Sequence, residues 1–206
     1  MNTALVVFAK APVAGLAKTR LVPALGPAGA AALAERMLRH TLAQAVLAGI
    51  GPVELCGTPD ELHPALVAAA RVGNVMLTAQ GGGDLGERMH RAFERALARH
   101  ARALVIGTDA PALDAAVLRE AAARLRHDEA VFVPALDGGY ALVGLRCADA
   151  RWFTGMPWST PGVMAATRQR LRSAGVRWCE LAPVADIDEP PDLVHLPFAW
   201  REGLPT

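Results

Sequence analysis

The chain has 206 residues, and its 21 Lys and Arg against 20 Asp and Glu give a net charge of +1. A chain this close to neutral has no overall field to hold nucleic acid or an anionic membrane, so we expect neither as a partner. No stretch approaches the roughly 20 apolar residues that a membrane span needs. The first residues lack the basic start of an export signal. We therefore expect residues 1–206 to form one cytoplasmic domain.

Seven short apolar runs, each followed by a loop, predict β-strands. The runs lack clean alternation, which is typical of strands that are buried on both faces. The predicted strands are Ala4–Phe8, Pro52–Cys56, Asn74–Thr78, Ala103–Ile106, Ala130–Val133, Tyr140–Leu145 and Val176–Cys179.

Capping and proline signals predict where helices begin between these strands. Pro27 is placed as a first-turn proline, Asp84 with Glu87 has capping-box spacing, Asp114 suits an N-cap, and Thr160-Pro161 suits another start. The apolar stripes expected on these helices are Leu38, Leu42 and Val46; Met89, Phe93 and Leu97; Val117, Leu118, Ala121 and Leu125; and Met164 and Leu171. The alternation of strands and helices predicts a three-layer α/β/α fold with a mostly parallel central sheet. The ligand crevice of such a sheet lies beyond the carboxyl ends of its strands.

The loop after the first strand carries three cations within eleven positions. These are Lys10, Lys18 and Arg20, and Gly15 between them permits backbone conformations that other residues resist. A lysine point charge and a planar arginine fork both suit phosphate oxygens, although a solvated surface loop is the alternative. The loop is not a Walker loop, because Gly15 does not directly precede Lys18.

A glycine-rich segment follows the third strand, and it allows a competing interpretation. Gly81, Gly83 and Gly86 satisfy G-x-G-x-x-G, and Asp109 follows at roughly the distance of a ribose-binding acid. A dinucleotide site is therefore one alternative. Asp84 counts against it, because its carboxylate would occupy the helix N-terminus that a pyrophosphate needs.

Three later segments supply carboxylates. One is Gly107-Thr108-Asp109-Ala110-Pro111, which places Asp109 at the end of a hydrophobic strand. An acid there suits Mg²⁺ or Mn²⁺ beside a phosphate ester, and the alternative is a turn aspartate. Asp137-Gly138-Gly139-Tyr140 also has the composition of a plain turn between two strands. The four acids between Asp186 and Asp192 either share a metal or cap a short terminal helix.

In order along the chain, these segments resemble one family. They are similar to the uncharacterised glycosyltransferase-A-like family often labelled selenodomain-associated or arsenosugar-type transferase. The resemblance implies the glycosyltransferase-A fold, which sugar nucleotidyltransferases share. The matching segments are Phe8-Ala9-Lys10-Ala11-Pro12, Gly15 and Lys18-Thr19-Arg20-Leu21; Gln80 with Asp84-Leu85-Gly86-Glu87-Arg88-Met89; Gly107-Thr108-Asp109-Ala110-Pro111; Asp137-Gly138-Gly139-Tyr140 running to Gly144-Leu145; and Trp158-Ser159-Thr160.

The chain also departs from the related patterns. Its Ile187-Asp188-Glu189-Pro190-Pro191-Asp192-Leu193 segment is similar to the Asp-Thr-Pro-Glu-Asp-Leu ending of many nucleotidyltransferases, which implies that Asp188 is a second metal ligand. Glu189 and Pro191 replace the usual Thr and Glu there. The Gly-Gly-x-x-x-Arg opening of typical nucleotidyltransferases is missing, and Pro111 replaces the second acid of the usual Asp-x-Asp.

The residues and the resemblance together favour a metal-dependent transferase that moves a glycosyl group from a nucleotide sugar to a small-molecule acceptor. One alternative is a nucleotidyltransferase that joins a nucleoside triphosphate to a phosphorylated acceptor, and another is a nucleotide-binding module without catalysis. Asp109 and Asp188 are the expected ligands of Mg²⁺ or Mn²⁺, and Asp137 and Asp109 the expected catalytic residues. The expected nucleotide-binding residues are Lys10, Gly15, Lys18, Arg20, Gln80 and Arg88, and the expected acceptor-binding residues are Gly138, Gly139, Tyr140 and Trp158.

Overall fold

Seven strands form one sheet in the computed structural model, which describes residues 3–202. All seven predicted strands are confirmed, and no end is displaced by more than two residues. The sheet order is β3-β2-β1-β4-β6-β5-β7. The strands are β1 Thr3–Lys10, β2 Val53–Thr58, β3 Met76–Ala79, β4 Arg102–Ile106, β5 Ala130–Pro134, β6 Tyr140–Leu145 and β7 Trp178–Glu180.

The sheet is mostly parallel, as predicted. β1 pairs in parallel with β2 and with β4, β2 with β3, and β5 with β7, whereas β6 is antiparallel to both β4 and β5. The carboxyl ends of β1, β4 and β5 therefore share one edge of the sheet with the start of β6. Most of the loops that carry the predicted site residues leave the sheet at this edge.

Helices cover both faces of the sheet, which confirms the three-layer α/β/α fold. On one face α1, α2 and α4 bury Leu38, Leu66 and Leu118, while on the other α3 and α5 bury Phe93 and Met164. Complete burial of a side chain of this size stabilises the fold by about 1.5–3 kcal/mol. The helices are α1 Val22–Ala48, α2 Pro64–Gly73, α3 Leu85–Leu97, α4 Ala115–Arg124, α5 Val163–Ser173 and the short α6 Phe198–Arg201. None of the described helices is both long and apolar enough to cross a membrane.

The predicted helix starts are mostly confirmed. Asp84 and Glu87 form the reciprocal capping box of α3, and the Asp114 carboxylate accepts from two backbone N–H groups of α4. In α1 the backbone breaks at Gly26, which has φ 68° and ψ 166°, so Pro27 opens the long regular part of that helix. The start predicted at Thr160-Pro161 is wrong by a few residues, because α5 begins only at Val163.

The stripe predicted on α1 is wrong at its last member. Leu38 and Leu42 are buried, but Val46 is 45% exposed, because Ala45 and Ala48 face the core at that end of the helix. Near the other end of α1, a separate apolar cluster joins the first loop to the C-terminal segment. It contains Leu21, Ala30, Leu33, Met37, Ile187 and Leu196. The cluster fixes the loop that carries Lys18 against the segment that carries Asp188.

Candidate active site

A cavity of about 580 Å³ opens at the carboxyl edge of the sheet. Residues from the ends of β1, β4 and β5, from the start of β6 and from the C-terminal segment line it together. The predicted site residues among its lining are Lys10, Lys18, Arg20, Gln80, Asp109, Asp137, Gly139, Tyr140, Trp158 and Asp188. Residues that are far apart in the sequence therefore meet around one space. Their individual roles stay predictions.

Lys18 is the most enclosed charge in this cavity, with a side chain only 9% exposed. Its ammonium donates to the Ile187 carbonyl at 2.7 Å and to the Asp188 carboxylate at 2.7 Å, and it also contacts Oδ1 of Asp109. An ammonium has three protons, and here it meets three acceptors. Lys18 thus bridges the two carboxylates that the sequence assigns to a metal.

The backbone and the charge of Lys18 both reflect this arrangement. Its φ of 47° and ψ of 46° are left-handed, a conformation that non-glycine residues adopt only where the surrounding structure imposes it. Burial alone would lower the pKa of Lys18, but the charges of Asp109 and Asp188 and their hydrogen bonds outweigh it and raise that pKa. Lys18 therefore stays positively charged although its side chain is largely enclosed.

The other two cations of the first loop are more accessible. Lys10 is exposed at the end of β1, and its ammonium donates to the Leu16 carbonyl at 2.7 Å. Arg20 has a side chain 66% exposed and lies 3.6 Å from the Glu189 carboxylate, a contact that solvent screens. Both cations keep donors that an anion in the cavity can take.

Three predicted residues are missing from the described lining of the cavity. Gly15, with φ +76°, bends the first loop, and no heavy atom lies within 4 Å of where its Cβ would stand. Arg88 donates from Nε to the Gly83 carbonyl at 2.9 Å, so it folds back onto the start of its own helix. Gly138, with φ +92°, lies against the backbone of Pro161 and leaves no room for a side chain there.

Gln80 lines the cavity, yet its amide group is engaged elsewhere. It is buried, and Nε2 donates to the carbonyls of Ala9 at 3.3 Å and Cys56 at 3.0 Å. These two bonds tie the end of β3 to β1 and β2. The direct consequence of this geometry is that Gln80 braces the sheet.

The N-terminus of α3 does not support the dinucleotide alternative. The Glu87 N–H donates to the Asp84 carboxylate at 2.9 Å, and the Asp84 N–H donates to the Glu87 carboxylate at 2.8 Å. A pyrophosphate needs such N–H groups free. Gly86 serves packing instead, because a Cβ there would lie 2.6 Å from the Phe153 oxygen and 2.7 Å from Nε1 of Trp158.

The acidic side of the cavity contains one residue that the site prediction missed. Asp186 lines the cavity beside Asp137 and Asp188, and burial, followed by the charge of Asp137, raises the pKa of Asp186 to about 6. Asp137 is exposed and accepts from the Gly139 N–H at 2.8 Å, so the Asp-Gly-Gly turn is an Asx turn. The run of four acids in the sequence was the available signal for Asp186, but only the folded structure shows which of these acids line the cavity.

Aromatic side chains form the remaining wall. Tyr140 and Trp158 make an edge-to-face contact with ring centroids 6.4 Å apart. Nε1 of Trp158 is buried and finds no hydrogen-bond partner among the described residues. Burial raises the pKa of the Tyr140 phenol, which therefore stays neutral. This wall offers an apolar surface beside the Asp137 turn.

The carboxylates fit Mg²⁺ or Mn²⁺ only if a substrate supplies further ligands. Within residues 3–202, no group of three or more His, Cys, Asp and Glu side chains is arranged to hold a metal ion. Asp109 and Asp188 nevertheless converge on one cation, the Lys18 ammonium, and remain 49% and 42% exposed. Magnesium is commonly held by one or two carboxylates together with substrate phosphates. The pair is compatible with that kind of site.

Comparison with known proteins assigns the family. Residues 25–160 match the family described as an uncharacterized protein conserved in bacteria, DUF2064. The chain belongs to the DUF2064 family. A comparison of this DUF2064 protein with curated protein sequences found no match.

Solved structures similar to this DUF2064 protein share its glycosyltransferase-A-like fold. A provisionally assigned nucleotide-diphospho-sugar transferase from Desulfovibrio desulfuricans G20 is 29% identical, with 98% of this chain and 91% of that chain covered and a TM-score of 0.81. A CMP:2-keto-3-deoxy-manno-octonic acid synthetase in complex with CTP is 13% identical, with 94% and 96% covered and a TM-score of 0.60.

A third similar structure contains a metal and a nucleotide. It is glucosyl-3-phosphoglycerate synthase from Mycobacterium tuberculosis, in complex with Mn²⁺, UDP and glucosyl-3-phosphoglycerate. It is 10% identical to this DUF2064 protein, with 94% of this chain and 74% of that chain covered and a TM-score of 0.57. At this identity, as for the synthetase, the likeness concerns the fold.

Proposed function

We propose that this protein is a metal-dependent transferase that takes a nucleotide-activated sugar and passes the glycosyl group to a small-molecule acceptor. The observation that carries the proposal is the convergence of three loop cations and of carboxylates from separate loops on one cavity. The name of the Desulfovibrio relative, a nucleotide-diphospho-sugar transferase, supports the same class of reaction. Fold alone would not, because one fold carries many activities.

The cations of the first loop face the position proposed for the diphosphate. Lys10 and Arg20 are exposed at the cavity and can each donate charge-assisted hydrogen bonds to phosphate oxygens. Each such bond contributes about 1.5–3 kcal/mol. Lys18 adds a third positive charge at the inner end of the same loop.

Asp109 and Asp188 are the residues that would hold Mg²⁺ or Mn²⁺ beside that diphosphate. When bound, the ion supplies positive charge to the leaving nucleoside diphosphate, whose departure is the main barrier to breaking a glycosyl–phosphate bond. The protein contributes the orientation of the two carboxylates. The Ile187 N–H donates to the Asp109 carbonyl at 2.8 Å, so the two segments are linked through the backbone as well.

The Asp137 turn also lines the cavity and is proposed to face the acceptor. Asp137 binds the acceptor hydroxyl or takes its proton, and one of its oxygens is already oriented by the Gly139 N–H. Trp158 and Tyr140 form the apolar wall beside it and reduce access of water. Gly138 acts indirectly, by allowing the turn to lie against Pro161.

Product analysis by phosphorus NMR tests this proposal. The protein is incubated with Mn²⁺ and a panel of nucleotide sugars and, separately, with nucleoside triphosphates and sugar phosphates. Glycosyl transfer predicts slow release of nucleoside diphosphate from one nucleotide sugar even without acceptor, because water takes the acceptor position. Asp137→Ala should slow this release and leave nucleotide affinity nearly unchanged, whereas Glu35→Ala, at a partly exposed side chain of α1 that pairs with Arg39, should change neither.

The same cations and carboxylates would also serve nucleotidyl transfer, in which attack falls on the α-phosphorus and pyrophosphate leaves. Pyrophosphate from the triphosphate reactions, without nucleoside diphosphate from any nucleotide sugar, would contradict glycosyl transfer. It would establish the nucleotidyltransferase instead. Nucleotide binding with no product in either set of reactions would favour the binding module.

A further inference from the structure

Lys18 occupies the position between Asp109 and Asp188 that the proposed function gives to a metal ion. Its ammonium contacts an oxygen of each carboxylate and the Ile187 carbonyl, so all three of its protons are engaged within the protein. A lysine held in this way has no proton left for a phosphate. The same lysine and the same carboxylates therefore cannot serve phosphate and metal while this arrangement persists.

We propose that Lys18 is a built-in counter-cation, which leaves the carboxylate pair when a divalent ion binds and then contacts the diphosphate of the substrate. The inference rests on the proposed function, since it concerns the same metal and diphosphate. It adds to that function an order in which Lys18 moves as the metal and the diphosphate bind. Lys18 holds Asp109 and Asp188 together in the free protein, and its release couples metal binding to diphosphate binding.

Electrostatics gives the reason for such a counter-cation. Two carboxylates that approach a common point repel each other, and the positive charge of Lys18 reduces their combined charge from −2 to −1. A divalent ion has to compete with that internal charge, which weakens its binding to the free protein. An opposite charge at contact distance changes the proton affinity of a carboxylate about tenfold to a thousandfold. Because Asp109 and Asp188 are about half exposed, we expect the lower end, about tenfold, for the metal as well.

The backbone conformation of Lys18 is a second observation that supports this counter-cation role. Its left-handed conformation is uncommon for a residue with a long side chain, and it directs that side chain inward from the loop toward both carboxylates. Arg20, two residues further along, lies outside this arrangement with a mostly exposed side chain. One loop therefore presents one cation to the carboxylates and others to the open cavity.

The experiment measures Mn²⁺ binding by electron paramagnetic resonance, without any nucleotide. The variants are Lys18→Met, which keeps most of the length and removes the charge, and Lys18→Gly, which removes the charge and accepts the left-handed backbone without strain. Arg20→Met is the matched control from the same loop. We expect both Lys18 variants to bind Mn²⁺ about tenfold more tightly than the natural protein, and Arg20→Met to change this affinity less.

A second measurement titrates the same proteins with the 1:1 complex of Mn²⁺ and inorganic pyrophosphate by calorimetry. The ammonium that would contact the diphosphate is missing in the Lys18 variants, and such a contact is worth about tenfold to a hundredfold in affinity. This loss opposes the tenfold gain for the metal, so we expect their affinity for the complex to be unchanged to about tenfold weaker. A gain for Mn²⁺ alone that disappears with the pyrophosphate complex is the distinguishing result. A lysine that only stabilises the loop would make both affinities fall, since its loss would disorder both carboxylates.

Unchanged or weaker Mn²⁺ binding by folded Lys18→Met and Lys18→Gly would overturn the inference, as would a gain of about tenfold for the pyrophosphate complex as well. Adding Asp109→Asn to Lys18→Met should abolish the gain in Mn²⁺ affinity, and a persistent gain would place the ion elsewhere and also overturn it. These results need no turnover. A failure of the phosphorus NMR experiment, with Mn²⁺ affinities as expected, would refute the proposed reaction alone.

Discussion

Shortening the buried side chain of Ile187 is expected to reduce both stability and nucleotide binding. Ile187 is fully buried between Asp186 and Asp188, in the cluster with Leu21 and Met37. Replacing a buried isoleucine by alanine costs about 2–5 kcal/mol, and we take about 3 kcal/mol for this site. In a chain of this length, that corresponds to a fall in Tm of about 6–12 °C.

Nucleotide affinity should fall as well, because the Ile187 side chain anchors the segment that carries Asp186 and Asp188. The main-chain bonds of Ile187, to the Asp109 carbonyl and from the Lys18 ammonium, then lose the support of the packed side chain. Leu118→Ala is the matched control, since Leu118 is also fully buried but lies on α4 in a different cluster. It should lose similar stability and keep its affinity.

The assay combines urea unfolding with calorimetric titration of a panel of nucleoside diphosphates in the presence of Mn²⁺, at a temperature where both variants are folded. Ile187→Val removes a single methylene, so about 1 kcal/mol of stability and an unchanged affinity are expected. If Ile187→Ala binds nucleotide as tightly as Leu118→Ala does, then the buried anchor does not position the acids and the reasoning is refuted.

Two further predictions concern packing and pH. In urea unfolding, Gly86→Ala should destabilise the protein by about 1–3 kcal/mol, because a Cβ there meets a main-chain oxygen and the Trp158 ring. The control Gly82→Ala has open space around it and should change the free energy of unfolding by no more than about 0.5 kcal/mol. Hydrogen bonds from Arg168 hold the pKa of Glu180 below its usual 4.5. The pair should therefore contribute up to about 1 kcal/mol above pH 4.5 and lose it as the pH falls through the lower folded pKa. Unfolding of the natural protein and of Glu180→Gln should differ at pH 6 and converge near pH 3, and a difference that persists at acidic pH would contradict this.

The strands and most helix starts could be predicted because their signals are local. A buried strand needs a short apolar run, and the Asp84–Glu87 capping box is specified by residues three positions apart. The same holds for Asp114 at the start of α4. The fold class also predicted at which edge of the sheet the cavity lies, because the carboxyl ends of parallel strands share one edge.

The features that the sequence did not reveal depend on contacts between distant segments. Lys18 and Asp188 are 170 residues apart, and nothing near Lys18 in the sequence distinguishes a lysine bound to carboxylates from one that faces phosphate. The amide of Gln80 is engaged by carbonyls of two other strands for the same reason. Val46 was misjudged because a helical stripe does not show where along α1 the sheet stops covering it.

The position of Asp186 also depended on tertiary structure. Four acids in a short segment were visible, but their local pattern suits a terminal cap as well as a site. Asp192 in fact takes the capping role, because its carboxylate accepts from the N–H groups of Asp188 and Glu189. The burial of Ile187 then fixes which of the remaining acids line the cavity.

Metal-dependent binding of a nucleoside diphosphate is the direct test of whether Asp109 belongs to a nucleotide and metal site. Calorimetric titration of UDP, GDP, CDP and ADP, each with and without Mn²⁺, is carried out on the natural protein, on Asp109→Asn and on the control Glu35→Gln, whose side chain pairs with Arg39 on α1. We expect at least one nucleotide to bind more tightly with Mn²⁺, and we expect Asp109→Asn to lower this affinity by at least about tenfold while Glu35→Gln leaves it unchanged. Full metal-dependent affinity in folded Asp109→Asn, or the absence of binding by all four nucleotides, would contradict a metal-dependent nucleotide site at Asp109.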